Sequence, residues 1–233
     1  MKYVKKGGSP QKYSAWCRSV AGTNKERYDE VPGDIKKIVL AALANHQGEI
    51  CAYTMRRIAA KTSHVEHVKP ESVCRLEQRG SDLDFTNMVA CFPRDGMPSS
   101  CRYGAQKKDN WWNPALFVSP LSAACEKRFL FARDGAISAV ANSKAAINTI
   151  EVLGLDNESL TEDRRRAIEV FLYGDGSDPL SKAKASRLRS EVCSKSDGRY
   201  MEFCVALRDA LDDYLKYIDK LARQRKFARA RKR

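Results

Sequence analysis

Between residues 204 and 221 the side chains of Cys204, Leu207, Leu211, Tyr214, Ile218 and Leu221 recur at alternating steps of three and four. That spacing lays one apolar seam along a helix. A seam of this length cannot be left in water, so the chain must supply a partner for it. Helical stretches at residues 161–173 and 180–194 are candidates, and a second subunit is the alternative. From Asn157 onward the pattern is helical, and Thr161 followed by Glu162 and Asp163 reads as a helix start.

Upstream, the pattern is mixed. Ile35, Ile38, Val39, Ala42, Leu43 and His46 follow helical spacing, which predicts a helix over 34–47 with Asp34 as N-cap and Gly48 as stop. Residues 49–53 and 57–59 read as short strands around a knuckle. His64-Val65-Glu66-His67-Val68 reads as a strand closed by Pro70. Residues 93–102 are loop-like, and Gly104 to Asn110 opens a short polar helix. Arg128 to Phe131, the Asp134-Gly135 pair and Ala136 to Val140 form the pattern of a hairpin. The class expected is α+β, with a largely helical C-terminal region.

The chemistry is constrained by charge. Lys plus Arg number 42 against 29 Asp plus Glu, a formal charge of +13 that points to an anionic polymer, nucleic acid, as partner. The excess is uneven, since residues 216–233 hold nine Lys or Arg and one acid, Asp219. Arg223, Arg225 and Lys226 in this tail are expected to track phosphates. No apolar run approaches the roughly 20 residues of a membrane helix, and Lys2, Lys5 and Lys6 lead into Gly7, Gly8, Ser9 and Pro10 rather than an apolar signal core. A cytoplasmic protein with no membrane partner is expected, in which eight cysteines read as thiols or metal ligands more than disulfides.

Hydrolysis of a phosphodiester needs a base for water and a hard carboxylate ligand for a divalent cation on the phosphate. Two of the three histidines, His64 and His67, flank Glu66, so Glu66-His67 offers both groups on one short strand. Twenty residues on, Asn87 carries an amide able to hold the base imidazole in orientation. His64 is positioned to orient substrate or to cap the strand. Trp111 and Trp112 either stack on an unpaired base or pack in the core.

His64-Val65-Glu66-His67-Val68-Lys69-Pro70, then Phe85-Thr86-Asn87-Met88-Val89-Ala90-Cys91, then Tyr103-Gly104-Ala105-Gln106-Lys107-Lys108 resemble the three-part signature of HNH endonucleases. More narrowly, Cys51-Ala52-Tyr53 ahead of the histidine block and the helix-rich second half are similar to PtuB, the HNH subunit of Septu anti-phage systems that also accompanies some retrons. The resemblance covers roughly residues 1–175. It implies a ββα-metal fold with Glu66 as metal ligand, His67 as general base and Asn87 as the middle asparagine. A PtuA-like ATPase partner follows from it, and a retron reverse transcriptase with its msDNA belongs to the larger complex it implies. The domain division expected is an N-terminal helical segment at 1–48, the nuclease core at 49–150 and a helical region with basic tail at 151–233.

The family pattern is not met everywhere. Relatives carry two Cys pairs that bind a structural zinc. Here Cys51 is followed by Thr54, Tyr103 stands at the fourth ligand position, Cys91 remains, Cys101 lies two residues off and Cys74 is unassigned. Four thiolates at standard spacing would mark a zinc site; this set does not, and ordinary buried cysteines are expected. The last signature histidine is missing too, which leaves Gln106, Asp109 or Asn110 to complete the shell of a Mg²⁺ or Mn²⁺ ion beside Glu66. Lys107 and Lys108 are expected to contact substrate. The resulting expectation is a metal-dependent nuclease of a defence complex cutting DNA or a structured RNA such as tRNA. The alternative is a degraded HNH subunit that binds or assembles without cutting.

Overall fold

The computed structural model describes residues 1–94, 103–174 and 180–230, the side chains of 226 and 228–230 excepted. Helix α1 (Gln11–Val20) buries Tyr13 and Val20 and packs on α2 (Gly33–His46), whose Val39 and Leu43 are fully buried. The N-cap of α2 is Pro32, not Asp34, which stands in the first turn where its charge meets the positive helix end. At the other end Gly48 has a left-handed φ of 60°, and its carbonyl accepts the Tyr200 N–H at 2.9 Å. A Cβ there would meet the Tyr200 ring at 2.6 Å, so this turn and this close approach both require glycine.

Only one isolated bridge, Ile50 to Arg57, forms where two short strands were expected at 49–53 and 57–59. The knuckle is held instead by a side chain. Buried Gln47 donates to the carbonyls of Ile50 at 2.9 Å and Ala90 at 2.8 Å and accepts from the Ala90 N–H at 2.7 Å. The amide thereby satisfies the buried Ala90 N–H and shares the Ala90 carbonyl with the Ala52 N–H, tying the knuckle to the segment around Ala90.

Strand β1 (His64–His67) leads through Pro70 into α3 (Glu71–Glu77), a helix that the sequence pattern does not announce. Strand β2 (Met88–Cys91) is buried throughout and pairs antiparallel with β1, Glu66 opposite Val89 and His67 opposite Met88. Both strands pack on α2. The polar helix expected from Gly104 to Asn110 is shorter, α4 (Ala105–Lys108). It ends at Asp109, whose φ of 46° turns the chain out of the helix.

The hairpin forms as expected from β3 (Phe129–Phe131) and β4 (Ile137–Ala139). Gly135 in its turn has φ 83°, and a Cβ there would run into the backbone of Thr161 and Arg165. Helix α5 (Lys144–Leu153) packs on β4 and α4. Helix α6 (Glu158–Tyr173) starts ahead of Thr161. The Asn157 side chain caps it, accepting the N–H groups of Ser159 at 3.1 Å and Leu160 at 3.5 Å, and so places the apolar Leu160 inside the helix and fully buried.

Helix α7 (Lys182–Glu191) and α6 both pack against α8 (Cys204–Ala230), which also touches β3. The seam is therefore covered within the chain, and by both candidate helices. Cys204, Leu207, Leu211 and Tyr214 are buried, the leucines contributing about 1.5–3 kcal/mol each. Beyond them Tyr217 and Phe227 are 51% and 72% exposed. One buried cluster runs from Met1 to Tyr214, and no described helix is long and apolar enough to cross a membrane.

Candidate active site

Side chains alternate along a strand, so His64 and Glu66 share a face of β1, with His64 Nε2 3.8 Å from Glu66 Oε2. The other imidazole nitrogen of His64 lies 2.5 Å from the Pro93 carbonyl. Glu66 Oε1 accepts from the Tyr53 hydroxyl at 3.1 Å and from the Lys108 ammonium at 2.9 Å. Burial opposes ionisation of Glu66, but hydrogen bonding to His64 and the Lys108 charge outweigh it and hold the carboxyl below its ordinary value. Burial, with this carboxylate beside it, pushes the Tyr53 phenol well above its ordinary value.

His67 is 4% exposed and packed edge-on to Tyr28, with centroids 4.7 Å apart. Its Nε2 lies 2.8 Å from the Asp82 carbonyl, which can only accept, so Nε2 carries the hydrogen. The other ring nitrogen, Nδ1, faces Glu71 Oε1 at 3.2 Å, so an oxygen acceptor stands at each side of the imidazole. Arg75 grips the other oxygen of Glu71 at 2.6 Å and the buried carboxylate of Asp82 at 2.7 Å. Asp82 in turn accepts the Tyr28 N–H at 2.9 Å. His67, Glu71, Arg75 and Asp82 thus close a ring that fixes the imidazole on both sides. When Nδ1 gains a proton, Glu71 is in place to stabilise it.

His64, Glu66, His67, Glu71, Asp109 and Asn110 line one cavity of about 560 Å³. Asn110 accepts from Ser72 at 3.2 Å and donates to Asp109 at 3.3 Å, which ties the segment after α4 to α3. Glu66, Asp109 and Asn110 all line this cavity and offer oxygen, the donor type of a hard cation that keeps several waters and takes few protein ligands. No group of three or more His, Cys, Asp or Glu among the described residues converges on one point as a closed metal cage would require.

Two expected roles change. Asn87 does not touch the imidazole: its amide accepts the Lys69 N–H at 2.9 Å and donates to the Lys69 carbonyl at 2.8 Å. It fixes the turn between β1 and α3, and through that turn the relation of His67 to Glu71; it also reaches Cys74 Sγ at 3.6 Å, which gives that cysteine its place. Lys108 is 1% exposed and spent on Glu66, so it cannot meet substrate as expected, because the short α4 turns it inward. Lys107 beside it is exposed. Trp111 and Trp112 pack on Phe117 at 6.1 and 6.0 Å. Arg223 and Arg225 are exposed on α8, whereas the side chain of Lys226 lies outside the described residues.

Glu71, Arg75 and Asp82 were not anticipated from the sequence. The His67-to-Glu71 and Glu71-to-Arg75 spacings of four were the available signals; Asp82 had none.

Cys51 and Cys91 come together in the core. Burial alone would raise both thiols, but hydrogen bonds from Cys91, Thr54 and the Phe92 N–H bring Cys51 down, and Cys91 is pushed up. Thr54 is buried beside them, and Tyr103 stacks on Phe92 and bonds to Arg56, which pairs with Asp163 at 2.9 Å. Cys101 lies outside the described residues. Purified protein is expected to contain clearly less than one zinc per chain by elemental analysis. A tightly held stoichiometric zinc would show that Cys51 and Cys91 recruit further ligands.

A fixed imidazole on the lining of a cavity that also holds two carboxylates, Glu66 and Glu71, is equipment for acid–base hydrolysis. No family model matches the chain. Over 145 residues it is 33% identical to the "Retron Vc95 putative HNH endonuclease" of Vibrio cholerae serotype O1 biovar El Tor, spanning 60% of this chain and 67% of that relative. The chain belongs to the HNH endonucleases of retron-associated systems.

Proposed function

We propose that the chain is a metal-dependent nuclease, the effector subunit of a Septu- or retron-type anti-phage complex in the cytoplasm, and that β1, β2 and α4 are its ββα-metal core within residues 49–150. Residues 1–48 and 151–233 would then be the helical segments that brace this core and carry the basic tail. The observation that carries the reading is the His67–Glu71–Arg75–Asp82 ring, which fixes His67 and Glu71 on the lining of the cavity that also holds Glu66. The His67–Glu71 pair takes a proton from the attacking water, and the Asp82 carbonyl holds the imidazole in orientation. Glu66, Asp109 and Asn110 would hold Mg²⁺ or Mn²⁺, which supplies charge neutralisation at the scissile phosphate when bound. His64 lines the same cavity and orients the substrate from the other side of Glu66, and exposed Lys107 reaches its backbone.

The substrate is DNA or a structured RNA such as tRNA. A PtuA-like ATPase restrains or targets the nuclease, and a retron reverse transcriptase with its msDNA joins the larger complex. The complex incubated with Mg²⁺ or Mn²⁺ should cut, EDTA should stop it without unfolding the chain, and His67→Ala should abolish it. Equal cleavage by the His67→Ala complex would overturn the assignment. A second reading, a subunit that binds nucleic acid without cutting, is favoured by one observation: the Lys108 ammonium already neutralises Glu66.

The end of α8 adds affinity. Arg223 and Arg225 are exposed, and the remaining tail cations follow them in sequence. Truncation after Leu221 is expected to weaken binding and to flatten its salt dependence. The slope should fall by about 0.7 to 0.9 log units for each phosphate the tail neutralises, with the rate at saturating substrate nearly unchanged. An unaltered slope in a salt titration would assign the tail no role.

A further inference from the structure

A second cavity of about 640 Å³ adjoins the catalytic one, with His64 and Val65 lining both. Its cations are Lys36 and Lys37 from α2, Lys61 from the loop before β1, and Arg94 from the segment after β2. Among the described residues no carboxylate lines it. These cations come from three separate segments of the chain, so it is the fold that gathers the Lys36–Lys37 pair with Lys61 and Arg94.

Elsewhere on the described surface, cations are commonly neutralised: Arg75 by Asp29 and Asp82, Arg165 and Arg166 by Glu162, Arg189 by Asp212, Lys182 by Asp219. Among the described residues, none of the four groove cations forms an ion pair with a carboxylate. Lys36 meets the Asp29 carbonyl at 3.4 Å and the Tyr28 ring at 4.9 Å, neither of which cancels its charge. Like charges brought together without acids repel, a cost that an anionic ligand relieves.

We propose that this groove holds the phosphodiester backbone of the substrate strand next to the bond being cut, with Lys36, Lys37, Lys61 and Arg94 as its phosphate contacts. The proposal rests on the nuclease reading for the identity of the ligand, a nucleic-acid strand. His64 and Val65 line both cavities, so a strand held in the groove lies next to the cavity that contains Glu66. Contacts of this kind position a strand without reading its bases.

The test uses the full chain with Lys37→Ala, Lys61→Ala and Arg94→Ala combined, three exposed side chains whose removal should not disturb the core. A control combines Lys12→Ala, Lys127→Ala and Lys184→Ala, also exposed, and removes the same charge. Binding of a fluorescein-labelled single-stranded oligodeoxynucleotide, its duplex and a folded tRNA is measured by anisotropy across a salt series, without divalent metal. The groove variant should bind its preferred probe about tenfold more weakly, with a slope of log affinity against log salt reduced by about 2 to 3, while the control keeps the wild-type slope. An unchanged slope in the groove variant, an equal weakening in the control, or no binding of any probe by wild type would overturn the groove. Cleavage is scored separately. A wild-type complex that never cuts with Mg²⁺ or Mn²⁺, while binding by the chain falls only in the groove variant, would leave the groove standing and overturn the nuclease reading.

Discussion

Replacing His67 by alanine is expected to reduce cleavage by about 10²- to 10⁴-fold, the span typical of losing a positioned general base. The imidazole is held between the Asp82 carbonyl and Glu71, so the substitution removes the positioned group at the centre of the ring. Arg75 keeps its bonds to Glu71 and Asp82 in the variant, and the frame around the site persists. Removing the packing on Tyr28 and one hydrogen bond costs about 1–3 kcal/mol of stability, which a thermal melt will register without abolishing the fold. Glu66→Ala should be equally inactive. Single-turnover cleavage with saturating metal is the deciding measurement, and a rate within tenfold of wild type in His67→Ala would remove this residue from the mechanism.

The largest effect on stability is expected at Glu66 and Lys108. Lys108 is 1% exposed and Glu66 14%, and their charges meet at 2.9 Å. A buried pair is strongly destabilised when one partner is removed, because the other remains charged and uncompensated; about 3–5 kcal/mol is usual. Lys108→Met should therefore lower the melting temperature by roughly 6–20 °C at about 2–4 °C per kcal/mol for a chain of this size. Glu66→Gln leaves the buried Lys108 ammonium without its counter-charge and should cost a comparable amount, although the amide oxygen still accepts from Tyr53 and Lys108. The double variant Glu66→Gln with Lys108→Met should regain most of the stability. Denaturant titration of all four proteins without metal gives the coupling, and strictly additive effects would show that the pair is not a coupled unit.

Much of the chain follows from local pattern alone. The seam at 204–221 is visible because three-and-four spacing admits no other regular structure, and the helix at 34–47 and the hairpin around Asp134-Gly135 are legible for comparable reasons. Glu66 and His67 stand out as a hard carboxylate and a base adjacent on one strand, and they do meet at one cavity with His64, Asp109 and Asn110. Cap identities are less visible, because Pro32 and Asn157 displace the expected Asp34 and Thr161 through chain geometry and the burial of Leu160 rather than residue preference.

The groups that hold the base, and the direction in which each lysine points, depend on contacts between distant segments. Glu71 and Arg75 lie on a helix too short to show a period, and Asp82 acts partly through its main-chain carbonyl, which no side-chain pattern encodes. Asn87 carries no mark of its preference for the Lys69 peptide over an imidazole. Lys107 and Lys108 are chemically alike and adjacent in sequence; the packing of α4 against α5 exposes one and buries the other against Glu66. Lys36, Lys61 and Arg94 become neighbours only when α2 lies on the β1–β2 pair. Residue type and spacing specify which elements form and which groups can do chemistry, since both are properties of short stretches of chain. The pairing, burial and charge balance of those groups are set by long-range packing, where one buried contact outweighs any local preference.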